Sequence, residues 1–234
     1  MRKWVLAILV LLYAHQICFS RTKILLGAKG GYGNTWVLNK NVKSDPEIKL
    51  DFSFAPHYGI TYRFNYKSWE YNTKHLGYTF EVLFAQYQQK YLPEFLDDNW
   101  ERQLDIFTID VPAFYRFTID YGVNLEAGMI FSYRRLAFGD FPFDSDFTQG
   151  GYTGYDLTDK FSKINMAVAA RVSTDIKITK NVAFNPGIFY SYGFWDIISK
   201  EGGKGEIYKD TKDGFYKPTH TMQIGGWGGI IVRF

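Results

Sequence analysis

Of the 234 residues, one is cysteine and four are histidine. The cysteine, Cys18, falls in an N-terminal leader, so the exported chain has no disulfide and no thiol site. His57, His75 and His220 lie far apart, with no spacing that suits a metal, and no cysteine can join them. An excess of charge of either sign is also missing. Lys and Arg number 27 against 24 Asp and Glu, and removing Arg2 and Lys3 with the leader leaves 25 − 24 = +1. That balance suggests neither a nucleic-acid partner nor an acidic disordered tail. The run Trp4–Ala14 has eleven apolar residues, short of the roughly 20 that a transmembrane helix needs.

That run does suit a secretion signal over residues 1–20. Arg2 and Lys3 supply the positive start, and Cys18-Phe-Ser20 offers small residues at the cleavage positions. A lipid-modified Cys18 is the alternative, but His15-Gln-Ile17 lacks the leucine and small residues that normally precede such a site. Cleavage after Ser20 leaves one domain, 21–234, a length that suits a single all-β barrel.

Two-residue alternation fills most of this domain, and helical periodicity is scarce. In Val123–Tyr133 the odd positions are Val, Leu, Ala, Met, Phe and Tyr, while the even ones are mostly polar or glycine. The even positions of 164–176 are mainly apolar, with Asn165, Arg171, Ser173 and Asp175 among the odd ones. Such segments are strands with one apolar face. The same reading predicts eight strands at about Thr22–Gly33, Leu50–Tyr66, His75–Tyr91, Trp100–Thr118, Gly122–Phe138, Asp159–Lys177, Val182–Ile198 and Thr219–Phe234. Many exceed the five or six residues usual in soluble sheets, and they meet the 9–11 of a tilted membrane strand. Tight turns at 119–121 and 178–181 alternate with long polar loops at 34–49, 139–158 and 199–218. The expected fold is an eight-stranded antiparallel up-and-down transmembrane β-barrel.

Alternation alone cannot say which face is outside. A lipocalin-like barrel would turn its apolar face inward; a membrane barrel reverses this, because lipid solvates the wall. The polar face carries Lys29, Arg63, Glu81, Asp110, Arg116, Glu126, Arg134, Arg171, Asp175 and Arg233, set among Gly, Ser, Thr and Asn. The apolar face is nearly free of charge and rich in Tyr and Phe near strand ends, as interfacial girdles require. Lipid outside is the expected arrangement. The final segment "IGGWGGIIVRF" then has no open edge, because the last strand pairs with the first. Gly27 and Gly31 on one strand, with Gly225 and Gly229 on the other, allow close approach at this seam. Trp227 falls on the inward face, where it fills the narrow interior. Because no helix follows "GGWGG", it is not a phosphate loop.

Leu104–Arg134, "LDIFTIDVPAFYRFTIDYGVNLEAGMIFSYR", resembles the central hairpin of the PorT-type small outer-membrane barrels of Bacteroidetes-like bacteria. Val111-Pro112 and Leu125-Glu-Ala-Gly128 occupy the places of that family's strand and return-strand motifs. Phe234, after Ile230 and Val232, resembles the C-terminal signal read by the outer-membrane insertion machinery. The resemblance implies location in the cell outer membrane, no catalytic residue, and for some members a part in assembling a protein-secretion apparatus. Pro56, Pro112 and Pro186 each remove a donor where no edge exists, so local bulges are expected there.

Arg63, Glu81, Arg116, Glu126 and Arg171 lie mid-strand on the inward face and form the candidate site. An eight-stranded interior has room for side chains and little else, so a structural ion-pair network is favoured over a conducting or catalytic centre. No G-x-S-x-G elbow marks a hydrolase. The loop bearing Asp140, Asp144, Asp146 and Asp156 lacks the order of a calcium loop. No cofactor, metal or catalytic residue is expected. Expected partners are membrane lipids, lipopolysaccharide and a protein met through extracellular loops or periplasmic turns.

Overall fold

The computed structural model describes residues 23–39, 48–67, 75–93, 102–119, 122–139, 154–199 and 218–234. Residues 1–22, with the expected leader, and much of the expected long loops, with Asp140, Asp144 and Asp146, lie outside the described residues. The strands are β1 (Lys23–Asn39), β2 (Ile48–Asp51), β3 (Phe54–Lys67), β4 (His75–Pro93), β5 (Arg102–Thr118), β6 (Val123–Gly139), β7 (Tyr155–Asp156), β8 (Ile164–Thr174), β9 (Ile176–Lys177), β10 (Val182–Phe184), β11 (Gly187–Gly193) and β12 (Thr219–Arg233). β2 runs on into β3, β8 into β9 and β10 into β11, while β7 is a short flap on β6. The result is an all-β, antiparallel, up-and-down barrel of eight wall strands. β1 and β12 close it in unbroken register from Leu25↔Arg233 to Asn39↔Thr219. Lys23, Thr118, Val123, Thr174 and Arg233 lie at one end of the barrel, the turn end; Asn39, Pro93, Gly139 and Gly193 lie at the other, the loop end.

Period-two sequence becomes period-two burial. On β4, Thr79, Glu81, Leu83, Ala85, Tyr87 and Gln89 are buried, while Phe80, Val82 and Phe84 are exposed. β1 continues to Asn39, beyond the expected stop at Gly33, because Gly33 is a strand residue here. A Cβ at Gly33 would sit 3.0 Å from the Gln223 side chain on the neighbouring strand. The sixth wall strand begins at Ile164 rather than Asp159, since Thr158–Lys160 forms a single 3-10 turn. The seventh stops at Gly193, short of Ile198. The positive φ of Gly122, +76°, serves the turn into β6, a conformation other residues rarely adopt.

Register is unbroken at Pro112 and Pro186, against the expected bulges, whereas at Pro56 the pairing with β4 shifts by one residue between Asp51↔Lys90 and His57↔Ala85. Tyr32↔Pro56, on the β1 side, and Pro112↔Ile130 lie in continuous ladders. β10 and β11, on either side of Pro186, keep one register on β12. A proline removes one donor without adding a residue, and neighbouring ladder bonds hold the alignment. Around Pro186, Asn185 Nδ2 donates to the Thr174 carbonyl at 3.1 Å. The shift in β5–β6 register lies instead at Phe107/Thr108, where Arg135 is the additional residue on β6. A second irregularity separates β2 from β3 at Phe52-Ser53. Side chains replace ladder bonds there: the Lys90 amide donates to Ser53 Oγ at 2.8 Å and the Gln88 amide to Thr35 Oγ1 at 2.9 Å.

Candidate functional site

Inward parity carries charge from six wall strands into the barrel. Glu81 Oε2 accepts from Lys29 Nζ and from Arg171 Nη2, each at 2.7 Å. Arg171 Nη1 lies 3.8 Å from Glu126 Oε2, and Thr79 Oγ1 donates to Glu126 Oε1 at 2.5 Å. Both glutamate side chains are fully buried. Charges so far from water survive only when paired. Aromatic faces complete the cage: the Arg171 guanidinium lies 3.7 Å from the centre of the Phe114 ring, and Lys29 Nζ lies 4.6 Å from that of Trp227.

The five anticipated residues therefore do not form one cluster. Glu81, Glu126 and Arg171 meet. Arg63 turns toward the turn end, where Nη1 pairs with Asp175 at 3.2 Å and Nη2 donates to Asn185 Oδ1 at 2.7 Å. Asn185 also accepts from Trp227 Nε1 at 3.2 Å and donates to Asp175 at 2.7 Å. Arg116 is the register partner of Glu126, yet its Nε and Nη2 have no hydrogen-bond partner among the described residues. Sequence reasoning placed Lys29 and Asp175 on the inward face but missed their parts in the network, and missed Asn185 entirely. Asn185 precedes Pro186 at a strand interruption, and that dipeptide was the available signal.

Trp227 is buried on the inward face, its ring 6.0 Å from Phe189. A Cβ on Gly187 would strike this ring, so Gly187 is the recess that admits it. At the seam, a Cβ on Gly31 would meet the Gly226 carbonyl, and one on Gly225 the Tyr32 carbonyl. Gly27 and Gly229 are likewise crowded by backbone across the seam. Phe234 is exposed beyond β12, and its amide donates to the Ile24 carbonyl at 3.1 Å. His57 packs edge-on to Phe189, and among the described residues no group of His, Cys, Asp or Glu suits a metal ion.

The loop end is apolar inside. Val37, Tyr87, Leu104, Ile106 and Ala137 on the wall pack with Phe161, Ile197 and Ile198, which come from the connections flanking β8 and β11. A Phe161↔Ile198 bridge, and the Ser162 amide donating to the Ile197 carbonyl at 2.6 Å, join these two connections across the lumen. Beneath this plug is a cavity of about 20 Å³ lined in part by Tyr87, Ser132, Arg134, Asn165 and Thr221. It has room for about one water molecule. Tyr87 and Thr108 hold Asp110 there at 3.0 and 2.7 Å. Outside, on β7, the Thr158 hydroxyl and amide hold the Asp156 carboxyl below its usual range.

The outer wall is the reverse of a soluble surface. Ile60, Ile188, Tyr58 and Tyr32 are 64, 65, 58 and 66% exposed, while Arg63, Glu81 and Arg116 are 1, 2 and 1% exposed. Apolar exposure of this kind runs round the barrel, from Leu26 through Phe84, Val111, Leu125 and Val168 to Ile230. Aromatic rings gather toward the turn end, Tyr78 tilted against Phe64 and edge-on to Tyr115.

No family model and no characterised protein match this sequence. Among solved structures the chain is similar to Neisserial surface protein A, with 12% identity and a TM-score of 0.40 over 90% of this chain and 97% of that one. It is similar to the outer membrane protein OprG of Pseudomonas aeruginosa, with 10% identity and a TM-score of 0.41 over 91 and 95%. It is also similar to Ail, the attachment invasion locus protein of Yersinia pestis, with 16% identity and a TM-score of 0.35 over 90 and 98%. The barrel assignment rests on the closed sheet itself, and these likenesses add no functional argument.

Proposed function

We propose that this protein is a non-enzymatic barrel of the bacterial outer membrane that serves as a structural, scaffold or assembly component. The single observation that carries the reading is the inverted wall: ionised side chains are buried inside and large apolar ones exposed outside. In water that surface would drive association; in a bilayer it is solvated. The lumen supports a scaffold over a pore, because ion-paired side chains fill its middle and the apolar plug fills its loop end. Function then resides in loops and turns that contact a partner. The resemblance of Leu104–Arg134 to PorT-type barrels supports, within this reading, an accessory role in protein secretion.

Membrane fractionation with crosslinking in intact cells tests the proposal. The expected result is an outer-membrane protein that requires detergent, resists it until boiled, and crosslinks to a discrete protein. Steady single-channel currents from purified protein in planar bilayers would establish the alternative, a small pore or transporter. Altered lipid A or phospholipid on deletion would establish a lipid-modifying enzyme.

A further inference from the structure

We propose that the turn end of the lumen binds a small monovalent anion, of halide or formate size, between Arg63 and Arg116. Four buried cations, Lys29, Arg63, Arg116 and Arg171, face three carboxylates in this part of the barrel: Glu81, Glu126 and Asp175. Glu81 is taken by Lys29 and Arg171, and Asp175 by Arg63 and Asn185. Glu126 accepts from Thr79 and lies near Arg171. One positive charge is left over, on Arg116. Its Nε and Nη2 are buried without a partner among the described residues, and so is Nε of Arg63.

The two guanidinium groups share one stretch of wall. Arg63 is the register partner of Thr79, and Arg116 of Gly77, the next inward position of the same strand. Gly77 has no side chain, so on that strand Thr79 alone stands between the two arginines on the inside. The charge of Arg63 acts on Arg116, with Glu126 and Asp175 the opposing charges. Uncompensated like charges in a dry interior are strongly penalised, as are orphaned guanidinium donors. A single anion accepting from both arginines removes both penalties. The competing arrangement is a water bridging Arg116 to Glu126 Oε2, which also lacks a hydrogen-bond partner. Water would satisfy those atoms but leave the extra charge in place. A monovalent anion cancels it; a divalent one would overshoot. The site requires only the closed barrel and is independent of the membrane in which it sits.

The test uses the full mature chain in a zwitterionic detergent, unfolded by heat and followed by tryptophan fluorescence. Sodium chloride is titrated against sodium gluconate at constant ionic strength. The expected result is a saturable rise in the midpoint with chloride, absent in Arg116→Gln. Crystals grown in bromide should place an anomalous peak within hydrogen-bond reach of Arg63 Nε and Arg116 Nη2. A midpoint indifferent to chloride, a response that persists in Arg116→Gln, or a bromide crystal without that peak would overturn the proposal. If Arg116→Gln does not fold, the bromide peak in the natural protein decides.

Discussion

Glu81 is the carboxylate on which two cations depend, so Glu81→Gln is the most informative single change. Its two contacts, both 2.7 Å long, are each worth about 6 kcal/mol at an effective dielectric of about 20. Against this stands desolvation of several kcal/mol for each of three buried ions. Removing the carboxylate keeps the desolvation of the two cations and loses the attraction, leaving Lys29 without its ion-pair partner and Arg171 with only a 3.8 Å contact to Glu126. The expected loss of folding stability is about 3–5 kcal/mol, the range found when one partner of a buried pair is removed. Lys29→Met alone should cost about 1.5–3 kcal/mol, because Glu81 keeps Arg171. The decisive variant is the double one. Lys29→Met in the Glu81→Gln background removes an unpaired charge, so it should restore stability, with a coupling that exceeds the cost of about 1.5–3 kcal/mol of Lys29→Met alone. Equilibrium urea unfolding in lipid vesicles, read by tryptophan fluorescence, measures all four corners of the cycle. Additive losses, or a Glu81→Gln protein within 0.5 kcal/mol of the natural one, would refute the claim that Glu81 neutralises both cations.

Other positions give equally direct tests. Ile60→Arg, on the outer wall at mid-strand, should cost about 2–4 kcal/mol in a bilayer, whereas on a water-facing wall vesicle unfolding would record almost no change. Gly31→Val should abolish closure, since a Cβ there meets the Gly226 carbonyl backbone; a variant that still shows a heat-dependent gel shift would contradict the seam geometry. Asn185→Ala should cost about 2–3 kcal/mol by leaving donors of Arg63 and Trp227 unmatched, measurable in the same urea series. Phe161→Ala should loosen the plug by about 3 kcal/mol and speed hydrogen exchange at the Phe161–Ser162 and Ile197–Ile198 amides, while exchange across the β1–β12 seam stays slow.

Pairing by register was only partly legible. Parity put Arg63, Glu81, Arg116, Glu126 and Arg171 on one face, because side chains on a strand alternate without exception between bulges. Which of them touch depends on the stagger between strands and on side-chain reach, neither of which alternation encodes. Arg63 thus finds Asp175 and Asn185 instead of a glutamate. The bulges expected at Pro112 and Pro186 failed for a similar reason: a missing donor is visible in sequence, but whether the neighbours absorb it is a property of the assembled ladder. The bulge at Arg135 has no such mark, since nothing about Tyr133-Arg-Arg-Leu136 announces an additional residue.

The sequence by itself determined the class: strand number, antiparallel up-and-down order, the closing pair and the face that carries charge. All of these follow from local periodicity and from the need to leave no edge. Tertiary structure alone decided the partners of each charge, the recess that Gly187 offers to Trp227, and the apolar plug. Phe161 and Ile197-Ile198 lie in segments without alternation, and they become a seal only when a closed wall holds their ends together, because burial there depends on contacts made across the lumen rather than along the chain.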